Sequence, residues 1–274
     1  AHGKPATREV KHSQFNTDAV QRGDYAHYML KEIHEQSQAV ADTLEGRIAG
    51  GKILTQIFGV DAEQLLADTQ AVHIIACGTS YHAGLVARYW IEQLAGVPCT
   101  AEIASEYRYR DPVVRAGTLF LTISQSGETA DTLAALKLAK QMPYLAQMAV
   151  CNVPESSIVR ESSLVLMTRA GPEIGVASTK AFTTQLVALA LFALALARSK
   201  GLDDARYLDG VAQLEQLPGL IVETLKLAGH KIVDYRIVPD DPDLIQEILA
   251  EWIARDDVQA VLAKGEAPAG YILA

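Results

Sequence analysis

Aromatic side chains are scarce in this sequence, 6% of 274 residues, although 49% are hydrophobic. Ala and Leu dominate, which favours helices packed on a sheet and supplies ample material for one large core or two small ones. Cysteine is nearly absent. Cys77, Cys99 and Cys151 are odd in number and show no Cys-x-x-Cys spacing, and no His lies at metal-ligand distance from one, which argues against a disulfide framework and a zinc site. They read as buried core thiols in a reducing cytoplasm. Lys and Arg form no block and the net charge is −9, which argues against generic nucleic-acid binding but allows a local pocket for a small anion. The most apolar run, Leu186–Ala197, is too short to span a bilayer and reads as a buried helix. Ala1–Lys11 is polar and unlike a secretory leader, and Ala1-His2-Gly3-Lys4-Pro5 reads like a cut from a longer protein. There is no internal repeat.

What is present is an alternation of strand and helix patterns from residue 72. Strands are expected at Val72–Ala76, Cys99–Ile103, Thr118–Ile123, Ala146–Asn152 and Leu164–Thr168. Helices are expected at Ser80–Leu94, Ser105–Tyr109, Thr129–Lys140 and Thr179–Arg198. Near-continuous apolar strands with helical crossovers predict a parallel sheet covered on both faces, with ligands bound outside the strands' carboxyl ends. Before the sheet, Ala1–Asp18 reads as an irregular arm and Asp24–Leu44 as a helix. His27 and His34 share a face of it, a pair better explained by solvent or tyrosine packing than by a metal. After the sheet come a helix at Val211–Leu227, a strand at Lys231–Val238, a helix at Asp243–Arg255 and a strand at Val258–Ala263.

Three Ser/Thr-rich loops carry the chemistry. The first is Ala76-Cys77-Gly78-Thr79-Ser80, the second Ser124-Gln125-Ser126-Gly127-Glu128-Thr129, the third Gly175-Val176-Ala177-Ser178-Thr179-Lys180. A phosphate monoester needs donors converging from small side chains and free backbone N–H groups. Gly lets the backbone approach, Ser and Thr add hydroxyls, and a following helix start adds a positive dipole end. One such loop is ordinary turn and N-cap chemistry; three in one sheet point to an anion pocket. Glu173 and Lys180 are the nearest acid–base candidates, but read better as a loop carboxylate and a helix-start cation. Glu128 reads better as a first-turn helix residue than as a catalyst.

These loops, with Ser13–Asp18, His27-Tyr28-Met29, Lys31-Glu32-Ile33, Ile103–Arg110 and Glu173–Phe182, resemble the glutamine–fructose-6-phosphate aminotransferases (glucosamine-6-phosphate synthases) over about residues 8–220. The matching part is that family's linker plus the first of two sugar isomerase (SIS) domains. The resemblance implies an α/β fold: a three-layer parallel-sheet SIS domain, a flavodoxin-like sandwich. It would carry an N-terminal helical arm and a small C-terminal βαβ unit. It also implies that Gly78, Thr79, Ser80, Ser124, Gln125, Ser126 and Thr129 hold the phosphate and nearby hydroxyls of fructose 6-phosphate or glucosamine 6-phosphate, and that Val176 and Ser178 contact the sugar. No cofactor or metal is implied. The implied partner is a small-molecule sugar phosphate, with a possible homodimer and neither nucleic acid nor membrane.

The family's ammonia source is a cysteine nucleophile on a separate N-terminal domain, and its acid–base residues lie largely in the second SIS domain. Neither has a counterpart here, so the expected chain binds sugar phosphate without complete turnover. Alternatives are an isomerase completed in an oligomer and a non-catalytic sugar-phosphate sensor. Residues of about 222–263, through Ala228-Gly229-His230, Val233-Asp234, Ile237–Asp241 and Asp256-Asp257-Val258, resemble part of a molybdopterin-binding domain. That family's Gly-rich loop is replaced by Lys264–Pro268, so no molybdopterin binding is expected. The resulting division is 1–45 linker and helix, 46–220 SIS domain, and 221–274 βαβ unit.

Overall fold

A computed structural model describes residues 20–228 and 242–254. The expected strands at Lys231–Val238 and Val258–Ala263, and the motif at Ser13–Asp18, lie outside these residues.

A helix α1 (Tyr28–Leu44) leads into a small hairpin of β1 (Ile48–Ala49) and β2 (Lys52–Ile53), then α2 (Ala62–Asp68). The main sheet and its helices follow as β3 (Ala71–Ala76), α3 (Gly78–Trp90), β4 (Cys99–Ile103), α4 (Ala104–Tyr107), β5 (Thr118–Ser124) and α5 (Ala130–Ala139). The series ends with β6 (Ala146–Cys151), α6 (Ser157–Glu161), β7 (Leu164–Met167), α7 (Lys180–Ser199) and α8 (Asp204–Ala228), and α9 spans Pro242–Ile253. The five strands predicted between residues 72 and 168 all form. They pair in parallel in the order β4-β3-β5-β6-β7. This is the doubly wound order 2-1-3-4-5 of flavodoxin-like sheets.

The strands are apolar on both faces because each face is covered. Ile74, Leu119, Leu121, Met148 and Val150 meet α3 and α7 on one side. The alternating partners Ile75, Phe120 and Ala149 meet α4, α5 and α6 on the other. α7 is apolar and long enough to cross a membrane by composition, but 78% of its apolar window is buried in the fold, as a core helix. Cys99 and Cys151 are buried and Cys77 half-buried. Burial pushes the Cys99 thiol up to about 12 and raises that of Cys151.

Several element ends differ from expectation. α1 begins at Tyr28 rather than Asp24 because Gly23, at φ +63°, breaks the chain's direction and His27 stays extended. The Tyr25 and His34 rings stack at 5.5 Å, so His34 is packed on tyrosine. α8 begins at Asp204, well before Val211, where Asp203 Oδ1 accepts from Arg206 N at 2.9 Å. It runs on through Pro218, whose carbonyl accepts from Ser37 Oγ of α1 at 2.8 Å, and through the expected domain boundary at 220–221. The β1–β2 hairpin, α2 and α6 were not anticipated; each is too short to show a period.

On the α5 face lies a polar cluster that composition did not announce. His73 is 8% exposed; its Nδ1 is 2.8 Å from Tyr144 Oη and its Nε2 2.8 Å from Glu102 Oε1. Tyr144 Oη is in turn 3.0 Å from Tyr107 Oη, and Arg110 pairs with Glu102. In the neutral ring, Nε2–H donates to Glu102 and the Tyr144 hydroxyl donates to Nδ1. Burial lowers the His73 pKa from its ordinary 6.5, outweighing the attraction of Glu102. As pH falls below 6.5 the unfolded chain takes up the proton first, so stability is lost between that value and the lower folded one. The melting temperature is expected to drop as pH falls below 6.5, and His73→Gln should flatten that part of the profile. Parallel profiles for the two proteins in thermal denaturation would refute this assignment.

Candidate functional site

The loops after β3 and β5 leave from neighbouring strands. Ala76 lies in register with Ile123, one residue before Ser124, so both loops start at the same carboxyl edge. The chain runs from β3 outward to β4, then returns past β3 to β5 and on to β6 and β7. Their crossovers therefore diverge, α3 to one face and α5 to the other, and leave a crevice between the two strands. This is the topological switch point, where open α/β sheets place ligands.

In the first loop Gly78 takes φ +57°, a turn that L side chains resist, and so aims the start of α3 at the crevice. Cys77 is extended and makes no side-chain cap, leaving the first-turn amides of a 13-residue helix without one. Ser80 is buried and Thr79 half-buried. In the second loop Ser124 Oγ lies 3.2 Å from Thr129 Oγ1 and accepts from Gly127 N at 3.0 Å, while Ser126 Oγ accepts from Glu128 N at 3.2 Å. Thr129 is the N-cap position of α5, again without a side-chain cap. Thr132, in the first turn of α5, points its hydroxyl at Cys77 Sγ at 3.8 Å and ties the two loops together. Gln125 and Ser126 are half-buried beside them. Seven of the nine predicted site residues thus lie on two loops that leave adjacent strands at the same edge of the sheet.

The third loop is built differently. Glu173 Oε1 accepts from Thr179 N at 2.8 Å and Ala181 N at 3.1 Å, and its Oε2 accepts from Ser178 Oγ at 3.2 Å. The positive end of α7 is therefore already occupied by a carboxylate, unlike the starts of α3 and α5. Val176 is 53% exposed and lines a cleft of about 170 Å³ with His27, Tyr28 and Met29 of the α1 start. The loop springs from the sheet's carboxyl edge through Asn152, just after β6. Asn152 Oδ1 accepts from Thr168 Oγ1 and Ala170 N, and its Nδ2 donates to the Gly171 carbonyl at 2.8 Å.

The three acid–base candidates are all engaged in holding structure. Glu173 caps α7 as described. Lys180, 4% exposed, donates to Glu35 Oε2 at 2.8 Å. Glu128 does not serve its own helix: its Oε1 accepts from Ser157 N at 2.7 Å and so caps α6, and that hydrogen bond lowers its pKa. Sequence reasoning did not single out Thr132, Asn152 or Glu35, and Glu32 entered only within the Lys31-Glu32-Ile33 run of the family resemblance. Asn152 directly after a strand was a usable signal; the others depend on partners far along the chain.

Residues 65–195 match the SIS domain family. The chain is 56% identical over 228 residues to the glutamine–fructose-6-phosphate aminotransferase [isomerizing] of Pseudomonas syringae pv. tomato, covering 83% of this chain and 37% of that protein. The protein of the same description from Escherichia coli K12 is 48% identical over 263 residues, 96% of this chain and 42% of its own length. That similarity extends past residue 220, into the segment also likened to a molybdopterin-binding domain. Among solved structures, the C-terminal domain of glucosamine-fructose-6-phosphate aminotransferase from Francisella tularensis superposes with a TM-score of 0.73 at 53% identity, covering 74% of this chain and 57% of that one. The chain spans 37–42% of the length of these two curated relatives.

Proposed function

Because this chain carries a SIS domain, related in sequence to that of the glutamine–fructose-6-phosphate aminotransferases, we propose that its switch-point crevice binds a hexose 6-phosphate, fructose 6-phosphate or glucosamine 6-phosphate. The carrying observation is the pairing of two uncapped helix starts, α3 and α5, across one crevice lined by hydroxyls. Thr79, Ser80, Ser124, Gln125, Ser126 and Thr129, with the backbone at Gly78, hold the phosphate. Each hydrogen bond to that charged group contributes about 1.5–3 kcal/mol. The phosphate does not go to α7, whose start Glu173 already fills. The sugar extends from the crevice toward Val176 and Ser178 on the third loop. The domain acts in the cytoplasm, in hexosamine synthesis, and a second copy is a candidate partner.

Binding rather than complete turnover is the expected activity of the chain alone. Proton transfer between two sugar carbons needs a base free to reach them, and Glu173, Lys180 and Glu128 are each committed to a partner. Calorimetric titration with glucosamine 6-phosphate tests the site. Ser124→Ala and Thr129→Ala are each expected to weaken binding about tenfold, the scale of one lost charge-assisted bond. Cys77→Ala should bind normally. Unchanged affinity in both hydroxyl variants would remove the assignment.

A second expectation concerns ammonia. Release from glutamine by a cysteine nucleophile needs an accessible thiolate, but Cys99 and Cys151 are buried with raised pKa values. The purified chain should form no glucosamine 6-phosphate from glutamine and fructose 6-phosphate. Glutamine-dependent product would overturn this. Isomerisation of fructose 6-phosphate without glutamine would instead favour an isomerase completed by an oligomer.

A further inference from the structure

Glu32 sits on α1, outside the residues 65–195 that match the SIS family, yet its Oε1 hydrogen-bonds to the third loop. It is 3% exposed. Its Oε1 accepts from Ile174 N at 2.6 Å and from Gly175 N at 2.9 Å, across 142 and 143 residues of chain. Its Oε2 is buried and has no hydrogen-bond partner. Gly175 lies against that oxygen so closely that a Cβ there would stand 2.4 Å from it. Burying a carboxylate with one oxygen unpaired is poor economy for stability alone. What the arrangement delivers is a fixed backbone path at the two residues preceding Val176. The next turns of α1 continue the same contact: Glu35 takes Lys180, and Gln36 Oε1 accepts from Thr183 Oγ1 at 2.6 Å.

We infer that Glu32 is a positioning residue for the third loop, and that α1 is therefore part of the sugar site although it lies outside the SIS match. The inference rests on the proposed hexose 6-phosphate reading and deepens it. The phosphate is held by the first two loops, which Glu32 does not touch. The sugar must reach the third loop, whose backbone Glu32 sets. Loss of Glu32 should thus cost affinity for the sugar and spare affinity for the phosphate.

The test compares glucosamine 6-phosphate with inorganic phosphate on the full chain, for the parent, Glu32→Ala and Glu32→Gln. Glu32→Ala is expected to lose about tenfold in glucosamine 6-phosphate affinity while phosphate affinity stays within about twofold. Glu32→Gln keeps an acceptor oxygen for both amides and should restore most of the loss. Amide exchange at Ile174 and Gly175 should quicken in Glu32→Ala and not in Glu32→Gln. Equal losses for both ligands, or no loss for either, would overturn the inference, since the first means general support of the fold and the second no role. A parent chain that binds neither ligand would instead overturn the hexose 6-phosphate reading itself, and the inference with it.

Discussion

Replacing Gly127 with alanine is expected to destabilise the domain by about 2–4 kcal/mol and to abolish hexose 6-phosphate binding. Gly127 takes φ +67°. A Cβ there would stand 2.0 Å from Ser156 Oγ and 2.8 Å from Cys151 Sγ. Backbone strain and overpacking therefore act together. Relief requires the second loop to lift, and its Gly127 N–H then leaves Ser124 Oγ, one of the hydroxyls assigned to the phosphate. Gly96 is the control. It takes φ +64°, but a Cβ there meets nothing within 4 Å, so alanine costs only the dihedral strain, about 1 kcal/mol. For a domain of this size the difference should separate the two variants by about 3–10 °C in melting temperature. Equal melting points would show that the close approach at Gly127 is not real.

The second large effect is an asymmetry within one ion pair. Glu35→Ala should cost about 3–5 kcal/mol, because it strands a buried ammonium. The Lys180 side chain is 5% exposed and, among the described residues, its one close carboxylate is Glu35, at 2.8 Å. It also stands at the positive end of α7, where the helix dipole opposes a cation. Lys180→Met should be nearly neutral, within about 1 kcal/mol. Glu35 is 31% exposed and keeps Lys31 at 3.2 Å, so it is left neither buried nor alone. Urea denaturation of both variants decides the matter. Comparable losses would mean that the pair is solvated and that α1 is not clamped onto α7 as described.

The parallel sheet was legible because its strands are covered on both faces. Each appears as an apolar run, with Ile74 and Ile75, or Leu119, Phe120 and Leu121, serving opposite layers. The first two loops were legible for a related reason: their donors are local, packed into a few residues between a strand and a helix. The order of the strands was not. Placing β3 between β4 and β5 is a choice of long-range pairing, and only that choice makes neighbours of loops separated by more than forty residues.

The third loop shows where sequence reading stops. Its Ser and Thr resemble those of the other two, and nothing local reveals that Glu173 has already taken the helix start. Glu32, Glu35 and Gln36 look like ordinary polar positions of an amphipathic helix. Their partners at 174–175, 180 and 183 lie more than 140 residues away. The sequence by itself determined the sheet, its helices and two anion-ready turns, because those follow from hydrophobic period and from the chemistry of adjacent residues. Tertiary structure decided which turns face each other, which helix start stays open and which carboxylate holds the remaining loop, because each depends on the desolvation and pairing of groups that only folding brings together.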